Sequence, residues 1–290
     1  MPVRKVPTVL ATLTGVRLTQ GALPQDALRR AAGPIGIADE PLRAVVLEAP
    51  VGHTDDTGWR VGGNPAHLMA VETEAATLYQ VRPRHRHEEV QEVMPADDAG
   101  VMVTDRGRSY DAQAFDRVDQ QKCLAHILRS LSDVLEMKSG RARDFGEPLK
   151  ALWQEALGRW HAHRDGQVAG CKLEADALPA ASTYYLRDRR LQDPDNQRLL
   201  TELGWHHDRG NVRRFLVDPR IEPTNNRAER ALRPAVIARK GSHCSKNERG
   251  APAFAAFTSV VRTLAKHSAD VLVEGLYHLF RSSNVQPVSP

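Results

Sequence analysis

Ile221-Glu222-Pro223-Thr224-Asn225-Asn226-Arg227-Ala228-Glu229-Arg230-Ala231-Leu232-Arg233-Pro234 sets one carboxylate, Glu229, inside a field of arginines just past a helix-start signal. Pro223 interrupts what precedes it, and Thr224, Asn225 and Asn226 are all good N-cap residues. Ala228, Ala231 and Leu232 then fall on one side of a helix. Glu229 has two readings. With Asn226 as the cap it takes the third helical position, where a carboxylate reaches back to the cap's backbone N–H, or it pairs with Arg233 one turn on. Alternatively it faces a ligand, with Arg230 and Arg233 as phosphate clamps.

Charge is concentrated around this stretch. Between Arg220 and Gly250 there are eight Lys/Arg against three acids, a net +5, so the rest of the chain, whose total is +4, sums to −1. Such a local excess is an electrostatic footprint for polyanions. The 290 residues allow one large or two ordinary domains, and 41% hydrophobic with 26% charged residues is a globular composition. No run reaches the roughly 20 apolar residues of a membrane span, and the start carries no secretory pattern. Cys123, Cys171 and Cys244 are odd in number and far apart, which argues against a disulfide framework and fits a reducing cytoplasm.

Outward from the opening stretch, residues 23–50 read as two short helices. Gly33-Pro34 ends the first and Asp39-Glu40-Pro41 opens the second. Strands follow: one ending near Asp55, then Trp59–Val61, Ala66–Val71 and Ala75–Val81. Gly62-Gly63-Asn64-Pro65 and Glu72-Thr73-Glu74 are the turns. Arg86–Met94 is a short helix, and Gly100–Thr104 an apolar strand of the doubly buried type, cut off by Asp105-Arg106-Gly107. From Gln120 to about Leu203 the periodicity is helical, with Leu124, Ile127, Leu128 and Leu131, then Leu149, Leu152, Trp153, Ala156 and Trp160. Two more helices carry Phe254, Phe257, Val261 and Leu264, and Val271 to Phe280. This order fits an α/β layer fold with a mixed sheet.

Four ordered blocks carry a family resemblance. They are His53-Thr54-Asp55-Asp56-Thr57-Gly58-Trp59-Arg60-Val61, Gly100-Val101-Met102-Val103-Thr104-Asp105-Arg106-Gly107-Arg108-Ser109-Tyr110, Gln121-Lys122-Cys123-Leu124-Ala125-His126-Ile127-Leu128-Arg129, and the opening stretch continued through Ala238-Arg239-Lys240-Gly241-Ser242. Together they resemble the Asp-Glu-Thr-Gly-Trp, Asp-Gly-x-x-x-Tyr, Cys-x-Ala-His and carboxy-terminal blocks of bacterial transposases of insertion-sequence family 66. The likeness runs from about Leu18 to about Leu276.

The resemblance implies a ribonuclease-H-like catalytic core whose carboxylates are Asp55, Asp105 and Glu229, holding Mg²⁺ or Mn²⁺ as a pair of ions. It implies cleavage at the ends of a mobile element and strand transfer into target DNA. Alignment gives the metal role to Asp55, and alternation along a strand supports a choice of one. Asp56, where the family usually has Glu, is the substitute. Asp105 ahead of Arg106-Gly107 also reads as an ordinary turn former. Arg227, Arg230, Arg233, Arg239 and Lys240 are the candidate DNA contacts, and Cys123, His126 and Asn226 the supporting residues. Cys123 and His126, three apart, either ligate a metal or pack a helix; no second Cys/His pair stands at zinc spacing. Trp59 reads as core rather than a base-stacking residue.

The expected organisation is a helical segment over 1–50, the first part of the core over 51–119, an all-α insertion over 120–203, the second part of the core over 204–282 and a disordered tail over 283–290. The expected partners are double-stranded DNA, further copies of the chain on that DNA and accessory proteins of the same element, with no membrane and a cytoplasmic, nucleoid-associated location. Full-length members of the family carry an amino-terminal DNA-recognition region, and this chain is expected to lack it. The alternative function is therefore a truncated or inactive remnant that binds DNA without sequence preference.

Overall fold

The computed structural model describes residues 3–94, 100–168, 177–187 and 190–281. Cys171 and the expected disordered tail lie outside the described residues. In chain order the elements are α1 (Val6–Thr14), α2 (Ala22–Ala31), α3 (Pro34–Leu47), β1 (Val51–Val61), β2 (Asn64–Glu72), β3 (Thr77–Arg82), α4 (His87–Gln91), β4 (Val101–Thr104), β5 (Gln120–Lys122) and α5 (Leu124–Met137). They continue with α6 (Arg141–Asp144), α7 (Gly146–Arg164), α8 (Ala177–Leu186), α9 (Pro194–Asp208), α10 (Arg214–Val217), α11 (Asn226–Ser242), α12 (Gly250–Leu264) and α13 (Ala269–Arg281). The chain is α/β. It divides into two compact units, Met1–Ala99 with Asn226–Pro290, and Gly100–Asn225.

In the first unit β1, β2 and β3 form an antiparallel meander. Gly62 and Gly63 both have positive φ, +58° and +88°, the two-residue turn that matches the twist of a hairpin. Val61 therefore pairs with Asn64, and the register follows back through Trp59 opposite Ala66 and Asp55 opposite Ala70. The two short strands expected before this turn are one strand. Gly58 does not break it, because it stays in register opposite His67. The second amino-terminal helix also starts earlier than expected, at Pro34, with Pro41 inside it. Proline at the first helical position gives up an N–H that has no intrahelical partner anyway, so Pro34 is the true start.

One face of the meander, with Trp59, Val61, Ala66, Leu68, Ala70 and Tyr79, packs on Ala231, Leu232 and Ala235 of α11 and Ala251 and Ala255 of α12. A second cluster joins Ile35, Leu42 and Val46 of α3 to Val71, Leu78, Val260 and Leu264. Of the apolar residues expected to line α12, Phe254, Phe257, Val261 and Leu264, only Leu264 is buried, and the rest of the stripe is built differently. Its buried positions are mainly Ala251, Ala253, Ala255, Ala256, Ser259, Val260 and Thr263, while Phe254 and Phe257 are only partly buried. Small residues let the helix come close to β3. The Tyr79 N–H donates to Ser259 Oγ at 2.9 Å and the Thr77 N–H to Thr263 Oγ1 at 3.0 Å, so hydroxyls take up strand donors that would otherwise be buried without partners.

In the second unit β4 and β5 pair in parallel, with Met102 opposite Gln120 and Thr104 opposite Lys122. Gln120 to Lys122 thus departs from the all-helical expectation for 120–203. No apolar pattern marks β5, because all three of its residues are polar and buried. Their side-chain nitrogens have partners: Gln120 Nε2 donates to the Tyr110 carbonyl at 2.7 Å, Gln121 Nε2 to the Lys122 carbonyl at 2.8 Å, and Lys122 Nζ lies 2.7 Å from Asp111 Oδ1. From Leu124 onward the described residues up to 203 are helices and their connections. Leu124, Ile127, Leu131 and Val134 line the inner face of α5, and Leu149, Trp153, Ala156 and Trp160 that of α7. Asp193 caps α9 by accepting from the Asp195 and Asn196 N–H groups, with Pro194 at the first position.

Candidate active site

Asp55 stands in the middle of β1. By alternation its side chain shares a face with Thr57 and Trp59, the face covered by α11 and α12. Trp59 is core, as expected. It is 3% exposed, stacks on Phe254 with ring centroids 4.9 Å apart, and donates its indole N–H to Ser245 Oγ at 3.0 Å. Asp55 Oδ1 accepts from the Asp56 N–H at 2.8 Å. Asp56 points to the opposite face, where His67 and His85 meet it.

Glu229 is half-buried in the first turn of α11, the helix that packs on β1. Asn226 is the first helical residue. That puts Ala228, rather than Glu229, at the third helical position and moves Glu229 out of the capping-box slot. His53, two residues before Asp55 and on the same face, registers the charges of Arg227 and Arg230. The start of α11 therefore lies over the part of β1 that carries Asp55. Tyr79 fixes the helix at depth by donating its hydroxyl to the Ala231 carbonyl at 2.5 Å.

The arginines divide by partner. Arg230, Arg233 and Lys240 are exposed. Arg227 Nη1 donates to Glu74 Oε2 at 2.9 Å. Arg239 donates to Thr57 Oγ1 at 3.1 Å and to the Gly58 carbonyl, tying the end of α11 to β1.

In the second unit Asp105 follows β4 directly. Its Oδ1 accepts from the Gly107 N–H at 2.8 Å, so the turn-forming role is real. The chain comes very close here: a Cβ on residue 107 would meet Asp105 Oδ1 at 2.9 Å and the Tyr110 ring at 3.4 Å. Gly107 thus lets the carboxylate fold over its own turn. Cys123 is fully buried and caps α5 rather than lying on it; its Sγ accepts from the Asn225 N–H at 3.2 Å. His126 is in the first turn of α5.

Periodicity gave no sign of Lys122. Its side chain is 0% exposed, ion-paired to Asp111, 3.2 Å from Thr104 Oγ1 and over the Tyr110 ring. Burial pulls its ammonium below the ordinary lysine range, against the raising effect of Asp111, Asp105 and Glu202.

His53 in the first unit and His206 in the second are held to about 3, mainly by burial and then by neighbouring cations. A depressed histidine is neutral in the fold and binds protons first in the unfolded chain. Stability is thus complete above the unfolded value near 6.5 and falls as pH drops toward about 3. Each should cost about 2 kcal/mol by pH 5. The melting temperature should fall steadily between pH 7 and pH 5, and His206→Asn should flatten that slope.

An all-carboxylate donor set fits a hard dication better than a soft one. One oxygen of each aspartate is already oriented by a backbone N–H, which fixes the carboxylate without cancelling its charge. Carboxylates held in this way are the kind of ligand that Mg²⁺ or Mn²⁺ favours. Among the described residues no helix is long and apolar enough to cross a membrane.

Comparison with known proteins gives two findings. The chain is 29% identical over 156 residues to "Uncharacterized protein y4qI" of Sinorhizobium fredii (strain NBRC 101917 / NGR234). That match covers 52% of this chain and 28% of the relative's length. The model of the Transposase IS66 family matches residues 1–253. The chain belongs to the IS66 family of transposases.

Proposed function

We propose that the chain is the catalytic part of a DNA transposase, with Asp55, Asp105 and Glu229 as the carboxylates of a metal-dependent polynucleotidyl transfer on a ribonuclease-H-like core. The observation that carries this reading is the pairing of Asp55 with α11. The strand face bearing Asp55 is the face under the helix whose first turn bears Glu229, while Asp56 faces away. Family membership supports the reaction class. Two bound ions would supply a activated oxygen nucleophile on one side of the phosphodiester and charge neutralisation of the leaving oxygen on the other. The chain's own part is to hold three carboxylates in place: Asp55 through the Asp56 N–H, Asp105 through the Gly107 N–H, Glu229 through the packing of α11. The reading demands that Asp105 serve the same ions as the other two. The helices from Leu124 to residue 203 are the proposed insertion between the second and third carboxylates, and the proposed setting is nucleoid DNA in the cytoplasm.

Strand transfer from pre-cleaved element ends in Mg²⁺ is the test, with each acid changed to its amide. All three changes should abolish transfer while the Asp56→Asn chain retains it. Inactivity of the unchanged chain, with DNA binding intact, would instead favour the non-catalytic remnant.

Arg230 and Arg233, both exposed on α11, are the proposed phosphate contacts. Removing both should weaken duplex binding evenly across sequences and reduce the slope of log K against log salt by about 2. A loss confined to one DNA sequence would assign them to base reading.

A further inference from the structure

On the face of the meander away from α11, three side chains from three places in the sequence meet. Asp56 comes from β1, His67 from β2, and His85 from the segment between β3 and α4. Hairpin register places His67 opposite Gly58, two residues along from Asp56 on the same face. Asp56 Oδ2 lies 2.7 Å from His67 Nδ1 and Asp56 Oδ1 lies 3.0 Å from His85 Nδ1. The rings are 5.9 Å apart, centroid to centroid, and the three ligating atoms lie within 4.8 Å of one another.

We propose that Asp56, His67 and His85 bind one divalent transition-metal ion of the zinc class, at a site separate from the proposed catalytic carboxylates. The donor set decides the class. Two imidazoles and one carboxylate suit Zn²⁺, Co²⁺ or Ni²⁺, whereas Mg²⁺ and Mn²⁺ favour all-oxygen sets. Spacing agrees: tetrahedral Zn²⁺ with bonds of about 2.0–2.1 Å separates its ligand atoms by about 3.3 Å. To reach that separation the two contacts, each to a different Asp56 oxygen, would open by about 0.3 and 0.6 Å. In the arrangement seen here Nδ1 of each ring faces an Asp56 oxygen, and on binding the proton between them would move to Nε2 or leave, freeing Nδ1 to ligate.

Exposure fits a site with an open position. The His85 side chain is 10% exposed, that of Asp56 24% and that of His67 38%. A fourth ligand, water, can enter from the His67 side, giving the three-residue-plus-water arrangement of many zinc sites. The ion would tie β1, β2 and the segment before α4 together. It would also fix the backbone at Asp56, whose N–H orients the Asp55 carboxylate. Burial raises Asp56, but the hydrogen bonds from His85 and His67 outweigh it and hold the carboxyl below its ordinary value, so the ligand is anionic at neutral pH.

The test is titration of the whole chain with Co²⁺, read by visible absorption, then competition with Zn²⁺. One Co²⁺ per chain should give a d–d spectrum without the near-ultraviolet thiolate charge-transfer band that a cysteine ligand produces. Zn²⁺ at a hundredfold excess over its dissociation constant should raise the melting temperature by about 5 °C. His67→Ala and His85→Ala should each abolish the spectrum and the shift, and Cys123→Ser should leave both. His67 is the more exposed of the pair, so His67→Ala still decides if the His85 variant fails to fold. Absence of Co²⁺ binding would overturn the site. So would binding that survives His67→Ala, or a thiolate band that disappears in Cys123→Ser; in those cases the trio is a hydrogen-bonded clamp.

Discussion

Glu229→Gln is expected to fold as the unchanged chain does and to lose strand transfer by about three orders of magnitude. Its structural role is small. A carboxylate in the first helical turn gains about 0.3–1 kcal/mol from the helix dipole, so the melting temperature should move by no more than about 3 °C in a chain of this size. The amide keeps the shape of the side chain, so the packing of Ala228, Ala231 and Leu232 is undisturbed. The charge it removes belongs, on the proposed mechanism, to an anionic metal ligand. Such a ligand is worth several kcal/mol in the transition state, and about 4 kcal/mol is a thousandfold in rate. Thermal unfolding and a strand-transfer assay on the same preparation separate the two roles. Retained transfer, or a loss that merely tracks a lowered melting temperature, would leave Glu229 as a helix-start residue.

The second large effect concerns stability. Lys122→Met removes a cation that is wholly enclosed and leaves Asp111, 24% exposed, facing an apolar side chain. Breaking a buried pair from one side costs about 3–5 kcal/mol. With the partial exposure of Asp111 the lower end applies, about 3 kcal/mol and a fall in melting temperature of about 5 °C. Changing both partners, Lys122→Met with Asp111→Leu, should recover most of that loss, since a buried pair replaced by apolar groups is close to neutral. Calorimetry on the two single variants and the double variant closes the cycle. Additive losses would show that Lys122 and Asp111 do not act as a pair.

Much of the first unit was legible. Gly62-Gly63 announces a two-residue turn, and a turn of that kind fixes the register of everything behind it. The choice of Asp55 over Asp56 came from the family alignment, while alternation asked only that one of the two be chosen, and the two side chains do lie on opposite faces of β1. The same register would have placed His67 beside Asp56, but two histidines 11 and 29 residues from the aspartate have no recognised spacing. His85 in particular reaches Asp56 only because β3 carries the chain back alongside β2. What failed were local rules overruled by their neighbours. Pro41 looks like a helix start until Pro34 takes that place seven residues earlier. Gly58 looks like a break until a paired strand carries it. β5 is the clearest miss. Gln120, Gln121 and Lys122 have no hydrophobic pattern, and their burial is made possible by Tyr110 and Asp111, outside the window that any periodicity covers.

The contact between α12 and β3 bears on whether copies of this chain can join edge to edge. A strand edge with unmet N–H groups recruits a strand from another molecule, by domain swapping or by cross-β aggregation. At Thr77 and Tyr79 those donors already end on Thr263 and Ser259. Crowding of like chains is the condition under which a bare edge is most hazardous. Two hydroxyls on one helix remove that hazard at this border.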